Sequence, residues 1–297
     1  MKKTVLRSYA KLIATVGINV QKGQEVFVAA ELDQPEFVKM VVEECYRAGA
    51  KRVIVDWNYQ PLDKIQIRWR SQKNLGTVAD WEEARWKHYL DEIPCRIYLV
   101  SEDPDGLKGV NQEKMAKAQQ SRYKVIKPYR DQIENKYQWC IAAVPGAAWA
   151  KKLFPELSKG QAIEKLWEAI LDASRVDDDP VAAWNAHNED LAKRCAYLNS
   201  LGIETLVYKS SNGTDLRVGM IPEAEFKAAV KPLSRASSST RTFPPRRSSS
   251  PRCAARRRAS STPRSRFPIK VSSSRISPSA LKAARRSRST PKRTKSC

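Results

Sequence analysis

Residues 24–57 read QEVFVAAELDQPEFVKMVVEECYRAGAKRVIVDW, and this stretch decides the fold. It opens on a short apolar run, 24–30, rich in Val and Phe, which reads as a buried strand. Asp33 then precedes Gln34, Pro35 and Glu36, an N-cap followed by proline and an acid in the first turn, which together start a helix. Phe37, Val41 and Cys45 fall on one helical face, and Gly49 closes the element. Residues 52–57, RVIVDW, form a second apolar run. Two strands joined by a helix of this length make a right-handed parallel β-α-β unit.

The same alternation extends in both directions. Val5, Tyr9, Leu12, Ile13 and Val16 recur at helical spacing over 3–16, with Gly17 as the C-cap. Downstream, 79–92 reads as a helix, 95–100 (CRIYLV) as a third strand, 111–127 as a long polar helix and 138–144 (QWCIAAV) as a fourth strand. Helices are expected over 146–153, 160–174 and 180–200. A strand at 204–208 and a hairpin partner around 216–218 follow, joined through a Gly213-Thr214-Asp215 turn. Strands that alternate with helices and read apolar throughout imply an α/β fold: a doubly wound, mostly parallel sheet with helices on both faces.

Charge divides the chain at Phe226. The 297 residues carry a net charge of +22, but no Asp or Glu occurs from Phe226 onward, and that stretch holds 21 of the 54 Lys and Arg. The preceding part has 33 basic and 32 acidic residues, so it gives no reason to expect a polyanion partner. Two domains are therefore expected, an α/β domain over 1–226 and a tail over 227–297. The tail has no Gly, Trp, Tyr or Asp, and such a composition predicts a disordered segment.

Several chemistries are excluded by motif. The turn after the first strand, ELDQPEF, lacks the glycines of a dinucleotide fingerprint, and neither a phosphate-binding loop nor a GxSxG elbow occurs. The six cysteines, Cys45, Cys95, Cys140, Cys195, Cys253 and Cys297, include no CxxC pair. They fit a reduced, cytoplasmic protein. The N-terminus is too polar for a signal peptide, and no apolar run is long enough to span a bilayer, so no membrane partner is expected.

The candidate ligand residues each have a plainer reading. His187 has Asp190 at helical spacing, yet a helix histidine with satisfied partners is the commoner case. His88, among Trp86 and Tyr89 on a charged helix, is expected at the surface. Asp177, Asp178 and Asp179 precede Pro180 and read as a helix start. Asp103 and Asp105 flank Pro104 before Gly106 and read as a turn. Trp81, Trp86, Trp149, Trp167 and Trp184 fall on helix faces and are expected in the core or at a domain interface. No catalytic, cofactor-binding or metal-ligating residue is assigned.

Six segments then carry a family resemblance: VGINVQKGQEVFV (16–28), EFVKMVVEECYRAGAKRVIVDW (36–57), SEDPDGLKGV (101–110), AAVPGAAWAKKLFPEL (142–157), EKLWEAILDASRVDDDPVAAWNAHNEDLAKRCAYLN (164–199) and SSNGTDLRVGM (210–220). In order and spacing they resemble the thermophilic metalloprotease family of aminopeptidases, the aminopeptidase T and S type. The resemblance implies an N-terminal α/β domain packed on a C-terminal domain that holds two divalent metal ions, cobalt or zinc. It implies a homodimer that removes single residues from the N-termini of peptide substrates, with the paired ions activating a water. It also places the first metal-binding Glu soon after GTDL, in a Pro-x-x-Glu-Glu-Val-Phe context.

The sequence departs from the family there. After Glu225 it has no carboxylate side chain and no His, and its only histidines are His88 and His187, so the ordinary ligands of such a site are missing from the tail. Three origins for the tail are open: a basic arm for nucleic acid, a solvated linker, or a shifted reading frame. The third is preferred over functional nucleic-acid binding. Reading Arg246 and Arg247 as AGG AGG and moving the frame back one base gives Glu-Glu, with Val and Phe next. Residues 255–261 recode to a Gly-Glu-Ala-Glu-Gly-Ile-Val run that also suits the family. The expectation is thus a truncated, frame-shifted and inactive metallo-aminopeptidase chain.

Overall fold

In the computed structural model, residues 1–228 are described, together with 230–232, 238–240 and 242–243 as short strands. The expectation of a disordered tail therefore falls largely outside the described residues, as do the recoded positions 246–261. All described residues belong to one unit, Met1–Ala255.

The β-α-β unit is found as read. β1 (Glu25–Glu31) leads into α2 (Pro35–Arg47), and β2 (Arg52–Asn58) lies parallel to β1 with Val26 opposite Val53. Gly49 adopts φ +105, a left-handed conformation that suits glycine at a helix end. Asp33 is not the cap: Gln34 holds that position without a side-chain hydrogen bond, and Asp33 is used elsewhere. Preceding this unit, α1 (Lys3–Leu12) passes into a π-helical turn over Ile13–Gly17. Gly17 is thus inside the helical run, and the left-handed residue that follows is Asn19 at φ 44.

After β2 the chain forms two helices beyond those expected from the sequence, α3 (Gln60–Trp69) and α4 (Gln72–Gly76). Then come α5 (Asp80–Glu92), β3 (Cys95–Val100), α6 (Gln112–Ile133), β4 (Trp139–Ala143), α7 (Ala147–Leu153), α8 (Lys159–Ala173) and α9 (Pro180–Ser200). α6 continues through Pro128, past its expected end at 127. β5 (Thr205–Lys209) and β6 (Asp215–Gly219) form the expected antiparallel hairpin. Three short strands lie in the tail's first residues, β7 (Val230–Pro232), β8 (Ser238–Thr240) and β9 (Thr242–Phe243).

The main sheet has the order β2-β1-β3-β4-β9, all parallel. Its two faces differ in chemistry. Val26, Val28 and Ala30 align with Cys95, Ile97 and Leu99, and these with Cys140 and Ala142. That side is a dry core closed by Tyr9, Leu12 and Ile13 of α1, Phe37 and Val41 of α2, Trp167 and Ile170 of α8 and Trp184 of α9. Burying each such side chain contributes about 1.5–3 kcal/mol.

The opposite register aligns Ile54, Phe27, Arg96 and Trp139, then Asp56, Ala29, Tyr98 and Ile141. The strands are therefore not apolar on both sides. Here Arg85 of α5 pairs with Asp56 and lies over the Phe27 and Tyr89 rings. Charges on this face are held by aromatic quadrupoles and ion pairs.

Candidate functional site at the carboxyl edge of the sheet

The chain leaves β1 toward β2 on one side, while β3 leads to β4 on the other. The order thus reverses between β1 and β3, the place where open parallel sheets hold a crevice. The crevice here has a volume of about 550 Å³ and is lined by residues that directly follow the strands: Glu31 to Asp33, Tyr59 to Pro61, Ser101 to Asp103, and Ala147 and Ala148.

Its walls are fixed by bonds between segments far apart in sequence. Ser101 Oγ donates to Asp33 Oδ1 at 2.7 Å, and Gln34 Nε2 donates to the Pro145 carbonyl at 2.7 Å. Gln60 holds the Asp103 turn at both ends: its Nε2 donates to the Asp103 carbonyl and its Oε1 accepts from the Asp103 N–H, each at 3.1 Å. Gly146 sits so close to the end of β3 that an added Cβ would strike the Ser101 carbonyl and approach Asp33 Oδ2 to 2.8 Å.

The lining is acid-rich: Glu31, Asp33, Glu102 and Asp103 outnumber its one base, Lys64. Burial raises the Glu31 pKa above the usual carboxylate range, and the charges of Glu102, Asp33 and Asp63 add to it, against a lowering hydrogen bond from the Gln60 backbone. Burial likewise raises Asp63, which acts on Glu31 from outside the lining. Such a crevice suits a cation or an ammonium group and disfavours a phosphate. No glycine-rich loop cradles an anion there.

The candidate residues singled out from the sequence prove to be separated and engaged. His88 is not a plain surface residue: its Nε2 lies 2.7 Å from Oε2 of Glu25, a buried acid also approached by Arg52 at 3.6 Å. His187 packs edge-on against Trp184, with Nδ1 3.4 Å from Arg175. Burial, followed by the Arg175 charge, lowers its pKa. Asp190 pairs with Arg194 at 2.9 Å, so the two do not form a ligand pair. Asp179 Oδ1 accepts from the Ala182 N–H and caps α9, as read. Asp103 Oδ1 accepts from the Asp105 N–H, and Asp105 pairs with Lys152 at 2.6 Å. Trp167 and Trp184 are core residues, whereas Trp81 is exposed. Among the described residues, no group of three or more His, Cys, Asp or Glu side chains is placed to hold a metal ion, and no helix is long and apolar enough to cross a membrane.

A doubly wound sheet with an acidic crevice and engaged histidines defines an α/β scaffold domain. Its sequence identifies the lineage: the pattern of the thermophilic metalloprotease (M29) family matches residues 2–244, and the chain belongs to that family. It is 35% identical over 215 residues to aminopeptidase AmpS of Bacillus subtilis, covering 72% of this chain and 52% of that protein. It is 34% identical over 220 residues to aminopeptidase T of Thermus thermophilus, covering 73% and 54%. The solved structure of wild-type AmpT from Thermus thermophilus superimposes with a TM-score of 0.73 at 30% identity, over 82% of this chain and 60% of that one. The chain thus spans about half the length of the curated relatives it matches.

Proposed function

We propose that residues 1–226 are the N-terminal half of a metal-dependent aminopeptidase that removes residues from the N-termini of peptides. In this reading two divalent ions, cobalt or zinc, belong to the part of the relatives' length that the match does not span. The observation that carries it is the family match over 2–244 to proteins named aminopeptidases. The donors in residues 1–228 do not fit a dinuclear centre: among the described residues no three or more His, Cys, Asp or Glu side chains come together to hold an ion, and His88, Asp105, Asp179 and Asp190 have structural partners. No hydrolytic step is therefore assigned to them, and the chain alone is inactive. The complete enzyme is a cytoplasmic homodimer in this proposal. The buried free thiols Cys45, Cys95, Cys140 and Cys195 fit a reducing compartment.

The tail is a shifted reading frame in the same proposal. Two observations support it. Acids stop at Glu225, and the family match ends at residue 244, directly before the Arg246-Arg247 pair that recodes to Glu-Glu. Sequencing the gene across codons 220–250 tests it: an alternative frame without Glu-Glu-Val-Phe would end the idea. Inactivity is tested by incubating the purified chain with cobalt or zinc and an aminoacyl p-nitroanilide. Turnover abolished by a chelator would contradict it, whereas turnover gained only after restoring the frame would support it. A second reading, an α/β module with a nucleic-acid arm, draws on the 21 basic residues of the tail. It requires steeply salt-dependent binding that is lost on cleavage at Phe226.

A further inference from the structure

A second cavity, of about 390 Å³, opens between β3, α5 and α6 on the charged face of the sheet. Arg96 borders it. The Arg96 guanidinium lies 4.1 Å from the Tyr89 ring centroid, 4.9 Å from Tyr137 and 5.3 Å from Trp86. The residue is only 9% exposed. Its Nε and Nη2 are sealed from solvent and reach no acceptor among the described residues. Ring faces offset part of the cost of burying this cation, but they leave its charge without a counter-anion.

Nothing lining the cavity supplies one. The lining contains three arginines, Arg96, Arg122 and Arg130, and no Asp or Glu. Arg122 is already engaged by Glu82 and the Thr77 carbonyl. Glu134, close enough to act on the Tyr137 hydroxyl, does not line the cavity. Arg130 is exposed and stacks over Tyr123 with its guanidinium carbon 5.8 Å from the ring centroid. Tyr98, Tyr123 and Tyr137 complete the wall with Trp86.

We propose that this cavity binds an organic oxyanion, a carboxylate or phosphate group carried on a flat unsaturated body. The oxyanion meets the field of Arg96 and is held by Arg130, while the body stacks on the tyrosine and Trp86 rings. A volume near the lower end of small-ligand sites, roughly 300 Å³ upward, suits one ring and its acid group and excludes a dinucleotide. The absence of a lining carboxylate disfavours ligands that carry an ammonium. This site is independent of the acidic crevice and of the proposed peptidase activity.

The test titrates the full chain with phenyl phosphate, benzoate and inorganic phosphate at constant ionic strength. Binding is followed by calorimetry and by tryptophan fluorescence, with Trp86→Phe as the signal control. One saturable site with a Kd below about 1 mM is expected for an aromatic probe, with inorganic phosphate weaker. Preference for benzoate assigns a carboxylate ligand; preference for phenyl phosphate assigns a phosphate. Arg130→Ala should weaken binding by about tenfold or more, and its exposure makes it safe for folding. Arg96→Lys, checked for folding by circular dichroism, should weaken it further. Absence of saturable binding overturns the proposal. So does binding that Arg130→Ala leaves unchanged, as anion capture by the basic tail would be.

Discussion

Substituting alanine for Gly146 tests whether the crevice is a close-packed junction or a loose surface cleft. The backbone at Gly146, φ −76 and ψ 148, is one that any residue adopts, so no backbone strain is added and the main effect is steric. The new Cβ would sit hard against the Ser101 carbonyl oxygen, 3.0 Å from the Ser101 carbonyl carbon and 2.8 Å from Asp33 Oδ2. Ordinary carbon–oxygen contacts begin at about 3.3 Å, so the ends of β3 and β4 must part by on the order of 1 Å. That movement strains the Val144 N–H to Val100 carbonyl bond, 2.9 Å, and the Ser101–Asp33 bond, 2.7 Å. Overpacking of this kind costs about 1–3 kcal/mol, and weakening one neutral and one charged hydrogen bond adds about 1–2 kcal/mol. The expected loss is about 3 kcal/mol. Urea unfolding followed by circular dichroism, with an unchanged m value, measures it. Gly160→Ala is the control, because nothing lies within 4 Å of its added Cβ and alanine is the better helix former inside α8. Its expected effect is a gain of up to about 1 kcal/mol. A Gly146→Ala variant within about 0.5 kcal/mol of the parent would refute the claim that the two strand ends are in contact at this point.

Trp184→Ala should cost about 3–5 kcal/mol, since the ring is fully buried and its Nε1 donates to the Ser174 carbonyl at 2.6 Å; an unchanged melting curve would contradict that placement. Glu31 carries a raised pKa in the fold, so it binds its proton more tightly folded than unfolded. Glu31's own contribution to stability therefore declines as pH rises through the carboxylate range, and Glu31→Gln should be the more stable near neutrality, the difference from the parent closing in acid; a pH-independent difference in unfolding midpoint would count against it. Burial pushes the Cys45 and Cys95 thiols up to about 12, so a Cys253→Ser/Cys297→Ser chain should release its thiols to Ellman's reagent only on unfolding. Leu62, Ile65 and Trp69 form an exposed apolar stripe on α3, with Trp81 also exposed. Light scattering should detect self-association, and a monodisperse monomer at high concentration would exclude it.

How much was legible follows from where the information sits. The unit over 24–57 could be read because its signals are local: an apolar run, Pro35 at a helix start, a buried stripe and Gly49 at a left-handed position. α3 escaped because only Ile67 of its ten residues is buried and Tyr59 offers no capping side chain. Its apolar stripe faces outward, so helical spacing alone pointed to no core. A local rule ends the long α6 at Pro128, yet the helix carries on to Ile133, which is buried. The chemistry of the second sheet face is written in the alternation of Arg96 with Tyr98 and in Asp56, but a reading of these strands as uniformly apolar passes over it. The crevice was less accessible still. Asp33 carries a strong local signal for a cap, and what takes it from that role is Ser101, 68 residues further on. Glu25 and His88 meet across 63 residues in the same way.

Those non-local pairings bear on the proposal that the described residues hold no hydrolytic centre of their own. The histidines and acids singled out above as candidate ligands, His88, His187, Asp105, Asp179 and Asp190, each have a partner within the described residues. Withdrawing His88 takes the nearest partner from Glu25, an acid only 4% exposed at the start of β1, and leaves it the more distant Arg52 at 3.6 Å and Lys51 at 3.9 Å, so part of the cost of a poorly compensated buried charge follows. Withdrawing Asp179 uncaps α9 and costs about 1 kcal/mol. Asp190 and Asp105 are exposed and easier to free, but they sit on different elements and would need partners that the neighbouring Arg194 and Lys152 are not. The dry core on the opposite face is closed by α1, α2, α8 and α9 and asks nothing of these groups. Packing and these candidate donors are thus separable here: apolar side chains close the core, while His88, Asp105, Asp179 and Asp190 hold partners elsewhere in the fold. On the reading proposed above, a dinuclear centre must bring its own donors from elsewhere in the complete enzyme.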